Sequence, residues 1–446
     1  MADRVVAPGS HPEPVFDVAD DRLARAAWCR IAEPGDEVAG ALVRALGAAE
    51  ALAWVYDAVR EPAAARSTLA HLGEQARPPG APAERPAPGR RAVLAGVLPM
   101  EPERERQGPV PRVLRALGRW APRLEGLDPR RELHVLERLG GAFLVPGDPG
   151  WPARVDDLGP AAPLGLWVRG APDLAAASRR SVAVVGARAC TDYGRHVTGE
   201  LATGLAGRGF TVVSGGAYGI DAMAHRGALA ADGPTVAFLA GGVDRLYPAG
   251  NVELLRTVTA SGGAVVSEVP PGSVPSRVRF LLRNRLIAAF SGATVVVEAA
   301  WRSGSLSTAA RAAELSRPVG VVPGPVTSMA SSGCHRLLRD GTAVCVTDAA
   351  EVAELAGELG RDALQPGPPP DGERAAPHDG LDEVETRAWD ALPLRVGRPV
   401  GSVARTAGLA VPETLGALGR LELSGHAERV AGGWRRVVPP EGAGSA

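Results

Sequence analysis

The sequence predicts a doubly wound α/β protein with a helical region before it and a small helical unit after it. Apolar runs rich in valine alternate with helical patterns from about 181 to 350. A chain of 446 residues also exceeds one ordinary core, so two or three domains are expected. Finally, two stretches dense in proline and glycine, near 76–111 and 359–378, mark breaks between domains.

Taken in order, the chain opens with an Ala- and Leu-rich helical pattern from Val15 to about His71. After the first Pro/Arg-rich stretch it resumes as LRALGRWAPRL and LDPRRELHVLERLGG. The ending ERLGGAFLVPGD reads as a helix stopped by glycine and followed by a short strand. Candidate strands are then SVAVVG (181–186), FTVVSG (210–215), TVAFLAG (235–241), GAVVSE (263–268), ATVVVEA (293–299) and RPVGVVPG (317–324). Strands apolar throughout and separated by helices indicate a parallel, Rossmann-like sheet covered on both faces. Ligands of such sheets gather at the carboxyl ends of the strands. The last segment reads as three short helices, then two β-like runs joined by AGG, the layout of a winged helix.

The predicted organisation is therefore a helical N-terminal region at 1–75, of SAM or helix-hairpin-helix type, continuing at 112–140. A disordered insert occupies 76–111, a Rossmann-like domain 141–355, a linker 356–380 and a winged-helix domain 381–440.

Composition removes several chemistries. All 49 basic residues are arginine, so a Walker A lysine, a Schiff-base lysine and a lysine general base are excluded. Cys29, Cys190, Cys334 and Cys345 are widely spaced and form no CxxC pair, which argues against structural zinc and a disulfide framework. No apolar run is long enough to cross a membrane and the N-terminus lacks an apolar signal core. A cytoplasmic protein without membrane, metal or cofactor is expected. The net charge of −1 requires any nucleic-acid site to be a local patch.

Five stretches carry the functional expectation. VGARACTDYG follows the first strand of the alternating region; it is not GxGxxG, and no acid ends the next strand, so a dinucleotide site is not expected. Arg188 stands where the crevice should open. SGGAYGIDAMAH places Gly215, Gly216 and Gly219 in a turn before a helix, where bare amides and the helix start suit an anion. Asp221 there reads alternatively as a helix cap, and His225 as a packed residue. AGGVDRLYPAGN shapes a crevice wall. SRVRFLLRNRLIA holds Arg277, Arg279, Arg283 and Arg285 without an acid; guanidinium forks suit phosphate. On a helix, Arg279, Arg283 and Leu286 are expected on one face and Phe280, Asn284 and Ile287 on another. EAAWRSGSLSTAARAAE puts Ser303, Gly304, Ser305 and Ser307 at a second helix start.

Together, VAVVGAR, SGGAYGIDAMAH, LAGGVDRLYPAGN, SEVPPG, FLLRNRLIA, VVVEAAWRSGSLSTA and VVPGPVTS resemble the DprA family of bacterial DNA-processing proteins across about 150–350. The chain departs from that pattern at VGAR for VGSR, at FLLRNR for FPRRNR and at SSGCH for a GTN run; Leu282 thus lacks one arginine of the family's set. The resemblance implies a non-enzymatic single-stranded DNA binder that protects incoming or recombining strands, forms a homodimer through its α/β domain and helps load the RecA recombinase. The residues it points to are Arg188, Gly215, Gly216, Tyr218, Gly219, Arg279, Arg283, Asn284, Arg285, Ser303, Gly304 and Ser305. The sheet design is also similar to nucleotide-sensor and phosphoribohydrolase proteins, although their PGG is missing from WRSGSLSTAARAAE. A hydrolase or sensor of nucleotide-derived ligands is the alternative. A transcription regulator acting through the winged segment is a third.

Overall fold

A computed structural model describes residues 13–65, 109–171, 173–357, 361–362 and 381–437. The chain divides into two compact units, Met1–Leu364 and Gln365–Ala446. The insert expected at 76–111 lies outside the described residues except for Pro109, Val110 and Pro111, which open the helix Pro109–Trp120. Most of the expected linker also lies outside them.

The larger unit is organised by a nine-stranded sheet. Its strands are β1 (Gly141–Leu144), β2 (Leu166–Gly170), β3 (Ser181–Val185), β4 (Thr211–Ser214), β5 (Thr235–Leu239), β6 (Ala264–Ser267), β7 (Ala293–Val296), β8 (Val319–Val321) and β9 (Val344–Cys345). The spatial order is β1-β2-β6-β5-β4-β3-β7-β8-β9. From β6 to β9 all neighbours are parallel, whereas β1 and β2 add an antiparallel edge. The six strands expected from the sequence, β3 to β8, are all parallel, and the antiparallel edge lies beyond them. β2 follows β1 after a long connection that holds the 3-10 stretch Ala153–Ala161, and it pairs with β6, about a hundred residues later; that pairing leaves no local sequence pattern.

The parallel core forms because its strands have no polar face. Ala183 and Val185 pack with Leu286, Ile287 and Phe290 of the helix Arg277–Phe290. Val182 and Val184, pointing the other way, pack with Leu201 and Leu205 of Asp192–Gly207 and with Ile220 and Ala224 of Ile220–Ala230. Both faces are thus covered, and each fully buried valine, leucine or phenylalanine contributes about 1.5–3 kcal/mol relative to exposure. The chain winds from β3 outward through β4, β5 and β6. It then returns along Arg277–Phe290 to place β7 on the opposite edge of β3, with Val185 beside Val296. The order reverses between β3 and β7, so their following loops diverge and leave a crevice.

The helices Asp21–Ile31, Glu37–Leu46, Ala48–Arg60 and Pro109–Trp120 surround Trp28 and Trp120, whose rings meet edge-on at 5.2 Å. Asp20 and Asp36 cap the first two, accepting from Leu23 N at 3.0 Å and from Val38 N at 3.0 Å; such caps are worth about 1 kcal/mol each. Arg25 ties this region to the sheet layer by donating to the carbonyl of Leu164 at 3.2 Å.

Three helices escaped the sequence reading: Leu174–Arg179, Ser332–Arg339 and Ala349–Ala356. The last has a legible start, since Asp348 accepts from Ala350 N and Glu351 N at 2.8 and 2.9 Å. Among the described residues no single helix is long and apolar enough to cross a membrane.

In the smaller unit, the helices Glu383–Asp390, Val400–Ala407 and Val411–Leu423 precede a hairpin of β10 (Ala427–Val430) and β11 (Gly433–Arg436). Asp382 and Glu385 form a reciprocal capping box at the first helix, with bonds of 3.0 and 2.7 Å. Trp389, Leu418, Leu421 and Trp434 fill the core. The three helices and the hairpin stand where the sequence placed them.

Candidate nucleic-acid interface

A large cleft, about 1450 Å³, lies at the carboxyl ends of β3 and β7, where the strand order reverses. Its floor begins with Val185 and Gly186 at the end of β3, and Arg188 stands exposed on the loop beyond. One wall is the Arg277–Phe290 helix, capped by Ser276, which accepts from Arg279 N at 3.2 Å. The other wall is the start of the helix Ser305–Glu314, preceded by Trp301, Arg302, Ser303 and Gly304.

Of the SGGAYGID turn only Ala217 and Asp221 line this space. Gly215 N and Ala217 N donate to Asp221 Oδ2 at 3.1 and 3.4 Å. The carboxylate within the motif therefore occupies two of the amides that the sequence suggested were free for a ligand. Gly219 has φ 77°, and an added Cβ would fall 2.3 Å from the carbonyl oxygen of Ala187; the helix start and the first turn pack too closely for any side chain. A Cβ on Gly215 would lie 2.5 Å from an Arg283 guanidinium nitrogen. These glycines, with Gly216, shape the floor and are not among the residues lining the cleft. Tyr218 is exposed outside that lining, its hydroxyl accepting from Gly250 N at 3.2 Å.

The arginines of FLLRNR separate into different surroundings. Arg283 is buried under the cleft. Its Nη1 donates to the carbonyl of Gly215 at 2.8 Å and to that of Phe238. Burial lowers its pKa to about 10, with Asp221 opposing the fall and nearby Arg188 adding to it, so it remains a cation at neutral pH. Burial raises Asp221 above the usual carboxylate range, with Arg283 and the two amides pulling back. Asn284 reaches the other wall, donating to Ser307 Oγ at 2.8 Å and to the carbonyl of Gly304 at 3.2 Å.

Arg285 turns into the interior, where Nη2 meets both oxygens of buried Glu268 at 2.6 and 2.8 Å. Glu268 also accepts from Gly35 N at 3.3 Å, joining the sheet layer to the N-terminal helices. Arg279 clasps Glu33 at 3.0 and 3.1 Å. Although burial works against it, hydrogen bonds from Arg279 and Arg123 hold the Glu33 carboxyl below its usual range. The expected face pairing is corrected accordingly: Arg283 lines the cleft with Phe280, Asn284 and Ile287, while Arg279 and Arg285 do not.

Of the residues singled out from sequence, Arg188, Arg283, Asn284, Ser303, Gly304 and Ser305 converge on the cleft. The sequence reading missed Arg245, Arg302 and Arg336, and it noticed Arg277 without assigning it. It also missed the aromatic rims. Tyr247 and Phe280 sit with ring centroids 6.0 Å apart, and the Arg188 guanidinium lies 4.8 Å from the Phe280 ring. Trp301 is 54% exposed. The signal available was adjacency: Trp301 and Arg302 immediately precede Ser303.

Six arginines line the cleft against a single carboxylate, Asp221, which is already engaged. Among the described residues Arg188, Arg245, Arg277, Arg283 and Arg302 make no ion pair. His225 is fully buried and bonded to Thr235 Oγ1 at 2.8 Å, and burial lowers its pKa to about 3. Glu298 is held at 2.5 Å by the Thr191 hydroxyl and at 2.9 Å by its amide.

Fold and cleft together define an α/β protein with a large anion-attracting crevice at the strand-order reversal. Residues 142–357 match the family described as DNA recombination-mediator protein A. A Mycobacterium tuberculosis (strain H37Rv) protein, named by inference a DNA processing protein DprA, is 46% identical over 329 residues, spanning 71% of this chain and 81% of its own length. Protein Smf of Escherichia coli (strain K12) is 37% identical over 278 residues, spanning 62% and 72% respectively. The X-ray structure of DprA from Streptococcus pneumoniae is 32% identical and covers 54% of this chain and 83% of that one, with a TM-score of 0.48. The chain belongs to the DprA/Smf family of DNA processing proteins.

Proposed function

We propose that this chain is a non-enzymatic, cytoplasmic single-stranded DNA-binding protein that uses the cleft at the β3/β7 reversal. The observation that carries the reading is the cleft's charge: six arginines, five without an ion pair among the described residues, against one buried and engaged carboxylate. Size supports it. Pockets for a single small ligand run about 300–1,000 Å³, whereas this cleft of about 1450 Å³ suits a strand tracked over several phosphates. Exposed Tyr247 and Trp301 and half-buried Phe280 on the rims suit unpaired bases.

In this reading Arg188, Asn284, Ser303, Gly304 and Ser305 contact the strand and Arg283 supplies a fixed positive floor. Gly215, Gly216, Tyr218, Gly219, Arg279 and Arg285 hold the walls in place. The family resemblance supports extending the reading to protection of recombining or incoming strands, delivery to RecA, and a homodimer formed through the α/β domain. It also supports reading the α/β core as Rossmann-like and the 381–440 segment as a winged helix.

The test compares an unstructured oligonucleotide with a duplex of equal length. The single strand is expected to bind more tightly, with little base preference and a steep loss on raising salt; equal affinities would overturn the reading. Incubation with nucleoside monophosphates is expected to leave them intact, and release of free base would overturn its non-enzymatic part.

A further inference from the structure

The cleft carries a second kind of chemistry besides charge, concentrated in WRSGS after β7. Trp301 presents more than half of its surface to solvent in a cleft wall. The Arg336 guanidinium lies 5.0 Å from its ring centroid. Arg336 is itself placed by the helix Ser332–Arg339 and by Asp340 at 3.7 Å. The indole is therefore backed by a cation held in position. Next along the chain, Arg302 is exposed and makes no ion pair among the described residues. Ser303 and Ser305 follow, their hydroxyls 2.8 Å apart at the helix start.

We infer that Trp301, backed by Arg336, is a stacking platform for an unpaired nucleobase, and that Arg302 takes the adjoining phosphate. This rests on the single-strand reading above and adds to it that the cleft holds bases as well as backbone. A flat aromatic face followed directly by an unpaired guanidinium matches the alternation of base and phosphate along one strand. Duplex DNA cannot use the platform, because its bases are already stacked. Every base offers a π-face, so the platform adds affinity without base preference.

The probes are an unstructured oligothymidylate and an abasic strand of the same length and charge. Wild-type protein is expected to bind the oligothymidylate at least about tenfold more tightly than the abasic strand. Trp301→Ala should bind oligothymidylate about tenfold more weakly than wild type and narrow that ratio, with an unchanged salt slope because no phosphate contact is lost. Trp301→Phe should restore most of the affinity. Trp301→Leu keeps an apolar cover over the Arg336 stem but has no π-face, so it should fall with the alanine variant, and it serves as the test if alanine lowers the melting temperature. Arg302→Ala should instead reduce the salt slope. The inference fails if Trp301→Ala and Trp301→Leu bind both strands as wild type does, which would make the indole only a cover for Arg336. Failure of wild-type protein to bind either strand would overturn the single-strand reading itself.

Discussion

The turn after β4 closes on its own carboxylate, whereas the turn after β7 opens into the cleft. Both are glycine-bearing, both follow a buried strand and both start a helix. In SGGAYGID, Asp221 collects the amides of Gly215 and Ala217, and Gly219 is wedged against the Ala187 carbonyl. In WRSGSLS, Gly304 has φ −63° and nothing within 4 Å of where a Cβ would stand. No acid falls between Glu298 and Glu314. A glycine-rich helix start thus specifies an anion without specifying whose. An acid inside the next turn supplies it internally, and the absence of one leaves hydroxyls and arginines for a ligand.

The largest effects should come from the two buried arginines that serve these two sides differently. Arg283→Ala strands Asp221 in the interior and should cost about 3–5 kcal/mol of stability, read as a lower denaturant midpoint, along with single-strand affinity. Arg285→Ala strands Glu268 and should cost a similar amount. Under conditions where it stays folded, however, it should bind single strands as wild type does. Equal binding defects in the two variants would erase the distinction between a cleft-facing and an interior arginine.

Smaller effects should separate the turns themselves. Gly219→Ala places a side chain at φ 77° against backbone, and the strain alone should cost about 1–3 kcal/mol. Gly304→Ala should stay within about ±0.5 kcal/mol by thermal melt. If the two glycines tolerate alanine equally, the contrast between closed and open turns is wrong.

The closed side also predicts a pH dependence. His225, on the helix that follows the closed turn, has its pKa lowered to about 3 by burial and, to a lesser degree, by Arg283. The unfolded chain takes up a proton near 6.5 and the folded chain does not. Stability is therefore full above about pH 6.5 and falls on acidification by about 1.4 kcal/mol per unit, down towards pH 3. Denaturation curves between pH 6 and 4 should show that slope, flattened in His225→Asn. A slope unchanged by the substitution would show that His225 is not the group responsible.

Much of this was legible before the structure. The six parallel core strands announced themselves because both of their faces are buried, which leaves uninterrupted apolar runs. β9 could not: two exposed residues at a sheet edge carry no pattern. The divergence of Arg283 and Arg285 was legible in part, since residues two apart on a helix point about 200° away from each other. That Glu268 would meet Arg285 was not, because it comes from a different strand end. Asp221 stood within the quoted motif, but only the fold shows its oxygen turned back onto Gly215 and Ala217. The aromatic rims were missed because Tyr247, Phe280 and Trp301 come from three segments that converge only when the sheet order reverses.

The central claim, that the open arginines of this cleft hold a single strand, is tested most directly by the salt dependence of binding. Wild-type protein and an Arg188→Ala/Arg302→Ala double variant would be titrated with one unstructured oligonucleotide at several salt concentrations. Both side chains are exposed, so the variant should melt with wild type. Its affinity should be lower, and the slope of log affinity against log salt should be smaller in magnitude by about 1.4, or about 0.7 for each lost phosphate contact. A folded double variant with wild-type affinity and slope would place the DNA elsewhere on the molecule and contradict the account.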